Sequence, residues 1–369
     1  MTLDPSIAIA ICLLLATGLA LELRIPSAIV EVLAGVVLVM LLPDISEVGW
    51  LEFLSHLGML ALMFVAGFEL ELDKLRRTWR ACLTIGGASF LAPMAGVFVL
   101  AMLGLGLGVS GSLLVAVALS TTSLALVYHA LKEHAGLADP QSQIMLAAAS
   151  VVDVLSMVSL ALLLGDVGWG TAALGLAVVL SAVSLPRIGS RLFRRYHGAV
   201  AEAELRFLLV VLVAIGFMGE SVRGMHPAII AFTIGIAMSG VVYETTAVKH
   251  KLEGLVFGFF APLFFIHAGT QVQLSTIDAT HLGHAAILLT LAVGLKYIAT
   301  RAAARWVTGQ NGHRIGVLFN YRMTFGIIGA EFGLQSGVIS QGLFDVLMLV
   351  ILASAALPGL LLRRKAGTA

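Results

Sequence analysis

Charge is what this chain lacks. Asp, Glu, Lys and Arg make up 12% of its 369 residues, against about 25% in ordinary soluble domains. That shortage excludes a solvated globular surface. No run of Lys and Arg is long enough to hold a nucleic acid backbone, no acidic tail is present, and a net charge of +1 favours neither sign of partner. The two cysteines, Cys12 and Cys82, lie in or at the ends of apolar stretches and match neither a metal spacing nor a disulfide framework. No nucleophile–base pair and no set of metal ligands stands out, so neither an enzyme nor a cofactor is expected. The opening MTLDPS places no basic stretch ahead of the first apolar run, which reads as a retained helix rather than a cleaved signal.

Apolar residues fill the space that charge leaves. They make up 59% of the chain, and the mean hydropathy is +1.03. Thirteen apolar segments approach the roughly 20 residues a spanning helix needs, at about 6–22, 25–42, 51–68, 81–105, 111–130, 144–164, 170–186, 205–219, 226–242, 252–272, 282–304, 314–338 and 343–362. The longest polar stretch, about 187–204, leaves no room for a soluble domain. The expectation is an all-α polytopic membrane protein, one transmembrane domain over 1–369, with the lipid bilayer as its surroundings. Placing the N-terminus outside puts nineteen of the 22 Lys and Arg on the inner side, as the positive-inside rule requires. Only Arg223 falls outside, and Lys296 and Arg322 lie within helices. The C-terminus is then cytoplasmic.

An internal repeat is visible. Ala66-Gly67 in the third segment aligns with Ala268-Gly269 in the tenth, Pro26 and Gly35 with Pro227 and Gly235, and Thr122 with Thr324, all at an offset near 202. The matched segments differ by seven in number, so the copies run in opposite senses. This predicts two inverted repeats, about 25–186 and 205–362, with the first helix outside both. Such folds bind ions near the membrane midplane beside discontinuous helices. The candidates for breaks are the fifth segment, with Ser120, Thr121, Thr122 and Ser123, and the twelfth, with Asn320, Tyr321, Arg322, Met323, Thr324, Gly326 and Gly329. Hydroxyls and glycines let backbone unwind where its freed groups still find partners.

Asp153 stands in IMLAAASVVDVLSMVSLALLL, where every other residue is apolar or a small hydroxyl. An intramembrane carboxylate costs about 2.5–3.5 kcal/mol on insertion scales, which makes it a functional residue by default. A carboxylate holds either a proton or a cation. Na⁺ and K⁺ take oxygen ligands, and Asp153 with the 120–123 hydroxyls can supply them transiently. Lys296 either pairs with Asp153, balances the broken helices, or reaches the inner interface. Arg322 faces a cavity or a carboxylate. Glu31, Glu331 and Asp345 are cavity-facing or structural, Glu69 and Glu71 interfacial, and His267 a core histidine.

Five segments carry a resemblance over nearly the whole chain. IPSAIVEVLAGVVL, LMFVAGFELELD, LSTTSLALVYHALKE, AAASVVDVLS and FFAPLFFIHAGTQVQL, in that order, resemble the cation:proton antiporter superfamily, in the branch of bacterial sodium/proton antiporters and potassium-efflux membrane domains. The resemblance implies a sodium/proton antiporter-like fold and a homodimer with separate dimer and core domains. The core would carry the ion site across the membrane like an elevator. It implies that Asp153 binds proton and cation in turn, that Thr121 and Thr122 lie at the unwound crossover, and that Lys296 is the core basic residue. Ser120, Arg322, Thr324, Glu331 and Glu69 are supporting candidates. Three departures stand out. Val152 occupies the place where the family has an Asp, Asn or Gln before its carboxylate. Gln273 replaces an acidic residue, and no nucleotide-binding regulatory domain follows Lys365.

The function expected is exchange of Na⁺ or K⁺ for protons across the cytoplasmic membrane. The alternatives are a gated potassium efflux route on the same scaffold, or a membrane sensor or assembly subunit that no longer transports.

Overall fold

The apolar runs are helices, and the polar residues inside them mark where those helices break. The computed structural model describes residues 4–23, 25–69, 78–134, 139–164, 169–196, 202–221, 226–243 and 246–363. In chain order the helices are α1 (Pro5–Leu23), α2 (Ser27–Leu41), α3 (Gly49–Phe68), α4 (Trp79–Leu103), α5 (Val109–Ala118), α6 (Leu124–His134), α7 (Pro140–Leu164) and α8 (Trp169–Tyr196). They continue as α9 (Ala203–Ser221), α10 (Pro227–Tyr243), α11 (Thr246–Leu255), α12 (Ala261–Thr270), α13 (Ala279–Thr308), α14 (His313–Leu318), α15 (Thr324–Gln335) and α16 (Gln341–Arg363). Among the described residues, eight helical stretches are long and apolar enough to cross a membrane. Ser27–Leu41, Val109–Ala118 and Pro227–Ser239 are apolar but shorter. Glu71, expected at the inner interface, lies outside the described residues.

Local chemistry explains several boundaries. α13 opens on Asp278, whose carboxylate accepts the His281 backbone N–H at 2.8 Å, and closes on Gly309 in the left-handed region at φ 70°. Its 30 residues extend about 45 Å, more than the roughly 30 Å hydrocarbon layer. The polar stretch that the sequence suggests as a connection after residue 186 is instead helical as far as Tyr196 in α8. Pro186 has no N–H for the carbonyl one turn back. The Arg187 guanidinium bonds the Val183 carbonyl at 2.7 Å and the Ser184 hydroxyl bonds the Ser181 carbonyl at 3.4 Å, so the ladder is supported around the gap. Ahead of Pro262 the chain takes one wide π turn, Val256–Phe260, that joins α11 to α12.

Two compact units form. The first holds the described residues of 1–13, 38–71 and 164–267; the second holds those of 14–37, 72–163 and 268–369. In the first, α3 lies along α10. A methyl group on Gly67 would run into the Phe232 carbonyl, and one on Gly235 into the Phe64 carbonyl. The same contact recurs in the second unit, where Gly269 of α12 faces the Val32 carbonyl and Gly35 of α2. Gly67 and Gly269 are the aligned glycines of the repeat, and Gly35 and Gly235 are its other aligned pair. Both pairs of glycines thus sit at close backbone contacts between helices. Each glycine lets two helices meet main chain to main chain, as small residues do in membrane bundles.

Overpacking such a contact costs about 1–3 kcal/mol. Gly67→Leu and Gly269→Leu are each expected to lower the thermal midpoint of the detergent-purified protein. Gly283→Ala, at a position open to space, is expected to leave it unchanged.

Candidate functional site

The two breaks sit in the second unit and cross each other. The first interrupts the chain between Ala118 of α5 and Leu124 of α6, the second between Leu318 of α14 and Thr324 of α15. The Ser123 N–H donates to the Tyr321 carbonyl at 2.7 Å. The Thr122 hydroxyl donates to the Phe319 carbonyl at 3.2 Å. The crossing is thus tied in both the main chain and the side chains.

A helix end buried in apolar surroundings must have its freed groups met within the protein. The polar residues of the breaks do that. Ser120 Oγ donates to the Ala116 carbonyl at 2.6 Å, and Thr121 Oγ1 to the Ala118 carbonyl at 3.1 Å. In the second break Asn320 Nδ2 donates to the Gly316 carbonyl at 2.9 Å. Ser120, Thr121 and Thr122 are at most 1% exposed. The Ser120 and Thr121 hydroxyls are local caps, and the Thr122 hydroxyl bridges to the other break.

Two cations attend the crossing. Lys296 of α13 is fully buried, and its Nζ donates to the Ser120 carbonyl at 2.5 Å and to the Ser89 carbonyl of α4 at 3.2 Å. It does not reach an interface. It sits just past the C-terminal end of α5, where the helix dipole favours a positive charge. Arg322, also fully buried, bonds the Ala292 carbonyl through Nη2 at 2.7 Å and Asn320 Oδ1 at 3.1 Å. Its Nε and Nη1 have no hydrogen-bond partner among the described residues.

Asp153 of α7 is fully buried and lies within electrostatic reach of Lys296, as Arg322 does. Its neighbour Val152 is fully buried too, and contributes only a main-chain carbonyl, which takes the Ser156 hydroxyl at 2.7 Å. The structure therefore gathers Asp153, Ser120, Thr121, Thr122, Lys296 and Arg322 in one unit. Thr324 is the first residue of α15. Glu331 stands two turns further along α15 and bonds Gln271, not the crossing. Glu69 lies in the first unit, with Lys249 and Glu253 as its charged neighbours; those two form an ion pair at 3.6 Å. Asp345 holds the connection between α12 and α13 by accepting the Gln273 N–H at 3.1 Å and the Thr276 hydroxyl at 2.6 Å.

Sequence reasoning missed the carbonyl partners of the two cations, at Ser89 and Ala292, and the glutamines Gln271 and Gln341. A main-chain acceptor leaves no mark in side-chain identity. The glutamines lie at segment ends, where polar residues are unremarked.

The geometry can be set beside known proteins. A family model described as the transmembrane sodium/hydrogen exchanger matches residues 7–364. The chain belongs to the sodium/hydrogen exchanger family. This exchanger is 27% identical over 320 residues to a protein named probable Na⁺/H⁺ antiporter 3 of Methanocaldococcus jannaschii, with 83% of this chain and 81% of the relative covered. It is 25% identical over 355 residues to the Na⁺/H⁺-K⁺ antiporter GerN of Bacillus cereus, covering 92% and 89%. It is 26% identical over 302 residues to the K⁺/H⁺ antiporter subunit KhtU of Bacillus subtilis, covering 78% and 73%. Among solved structures it resembles the sodium proton antiporter MjNhaP1 of Methanocaldococcus jannaschii, with a TM-score of 0.69 over 97% of this chain and 95% of that one. At 13% identity that match is one of fold.

Lys296 can be tested structurally. Lys296→Met leaves the Ser120 and Ser89 carbonyls unmet in a site without solvent, at about 1–3 kcal/mol for each unsatisfied group. The expected result is a clear fall in thermal midpoint, larger than that of Ser120→Ala, which keeps the carbonyl and its partner.

Proposed function

We propose that this exchanger moves a monovalent cation, Na⁺ or K⁺, against protons across the cytoplasmic membrane, and that Asp153 binds the two in turn. One observation carries the reading. A fully buried carboxylate lies within electrostatic reach of a fully buried lysine that holds a broken helix in the same unit. Protonation removes the charge that attracts the cation, and the cation displaces the proton. Competition at one carboxylate couples the two flows. The names borne by the relatives, Na⁺/H⁺ and K⁺/H⁺ antiporters, support the same exchange.

The rest of the proposal follows the fold. The chain crosses the membrane thirteen times with its N-terminus outside and its C-terminus in the cytoplasm. Two inverted repeats, about 25–186 and 205–362, build one transmembrane domain. The protein works as a homodimer, and the unit that holds the crossing carries the ion site across the membrane like an elevator. Ser120, Thr121 and Thr122 set the crossing, and Lys296 is the counter-charge that Asp153 loses when it takes up a proton.

The test is exchange in proteoliposomes. Wild-type protein is expected to show proton flux driven by a Na⁺ or K⁺ gradient, and Asp153→Asn to abolish it. Undiminished flux in the variant would end the assignment. Flux uncoupled from pH, and too fast for alternating access, would point to a potassium efflux route instead.

A further inference from the structure

Glu331 is buried without a cation to match it. It lies on α15 at 3% exposure. Oε1 accepts the Gln271 amide at 3.2 Å, and Oε2 has no hydrogen-bond partner among the described residues. Nothing positively charged contacts it among those residues. α15 packs on α5 and α16. α5 carries no ionisable side chain, and Asp345 is the titratable group that α16 brings near. α7 touches α15 where Leu160 approaches Gly329, and its carboxylate, Asp153, is two turns from that leucine. From the α12–α13 connection Gln271 bonds Glu331 and the Gln273 N–H bonds Asp345; His281 lies against Gly342 and bonds Asp278 at 2.8 Å.

Asp345 shows the contrast. It is fully buried, yet Oδ1 accepts both the Gln273 N–H and the Gln341 amide, and Oδ2 lies 2.6 Å from the Thr276 hydroxyl, whose single hydrogen it shares with the Gln273 carbonyl. Glu331 has one neutral donor and one bare oxygen, and an ionised carboxylate so placed is expensive. Its charge must be balanced by a metal ion or by a proton. A hard cation takes several oxygen ligands, and among the described residues no group of three or more His, Cys, Asp or Glu side chains is placed to hold one. A proton needs only the carboxyl itself.

We propose that Glu331 is a second proton-binding carboxyl of this exchanger, with the Gln271 side chain as a partner that serves both of its states. The Gln271 amide offers a donor on one side and an acceptor on the other. Turned one way it donates to the carboxylate. Turned over, it accepts from the protonated acid. Gln271, half-buried at the turn after α12, joins this group to the Gln341–Asp345 network, whose members reach the exposed connection at Gln273. Residue 152 is a valine and not a second carboxylic acid, and Glu331 places a second proton-carrying group elsewhere in the same unit. The purpose of that proton rests on the exchange reading. Its presence does not, so the two can fail separately.

The experiment is pH-difference infrared spectroscopy of the purified protein reconstituted in lipid. Wild type is expected to show a protonated-carboxyl band that disappears as pH rises. Asp153→Asn should keep a component of that band even where its exchange is lost, and Glu331→Gln should lose that component. Gln271→Leu should shift it, because the hydrogen bond is gone while the carboxyl remains. A band that Glu331→Gln leaves whole, or that does not change with pH, overturns the proposal. Should Glu331→Gln fail to fold, an unshifted band in Gln271→Leu overturns it equally.

Discussion

A single hydrogen bond sets the terms for the unit that holds the crossing: the Lys296 Nζ on the Ser120 carbonyl, 2.5 Å apart between fully buried residues. Breaking a helix in mid-membrane frees carbonyls that lipid cannot satisfy. The break can exist only if the protein supplies donors, and a cation at a helix C-terminus supplies both a donor and a favourable charge. Ser120, Thr121 and Asn320 cap further carbonyls with their own side chains. The Ser120 carbonyl lies beyond local reach, and it is met from α13. The unwound geometry, and with it any ion site there, depends on a side chain some 170 residues away in sequence.

The same economy of contact runs through the scaffold. Where the helices carry no polar partner, they approach through glycine. The Gly67–Gly235 contact in one unit and the Gly269–Gly35 contact in the other are one device used twice. It is a device of main-chain atoms, so the intervening side chains are free to vary as long as the glycines stay. That explains why the repeat is legible only as scattered matches, most of them at Gly, Ala and Pro.

Legibility followed chemistry. Asp153, the hydroxyl run and Lys296 stood out because a polar group in an apolar segment must have a reason, and the structure places them in one unit. The breaks were legible from Ser120–Ser123 and Asn320–Thr324, since hydroxyls and amides are the residues able to cap a helix end from within. The full extent of α8 was not. Pro186 followed by a run of arginines reads as an exit from the membrane, yet Arg187 turns back to bond the Val183 carbonyl and the helix continues. The roles of Gln271 and Gln341 were also hidden, because a glutamine beside a segment end carries no signal of which buried carboxylate it serves.

These points together bear on how one carboxylate can serve an exchange. Lys296 and Arg322 place two cationic side chains in the interior of the unit, and Val152 leaves Asp153 without a second carboxylate beside it. On the proposed reading, a cation bound at Asp153 competes with Lys296 for the same carboxylate. The competition is tolerable because Lys296 has other partners. Its bonds to Ser120 and Ser89 are to neutral carbonyls, so holding the helix end does not itself call on Asp153. The lysine can lend its charge to the carboxylate and withdraw it without releasing the helix end it holds. On the proposed reading the scaffold and the exchange site share one residue, and the neutrality of its hydrogen-bond partners suits it to both.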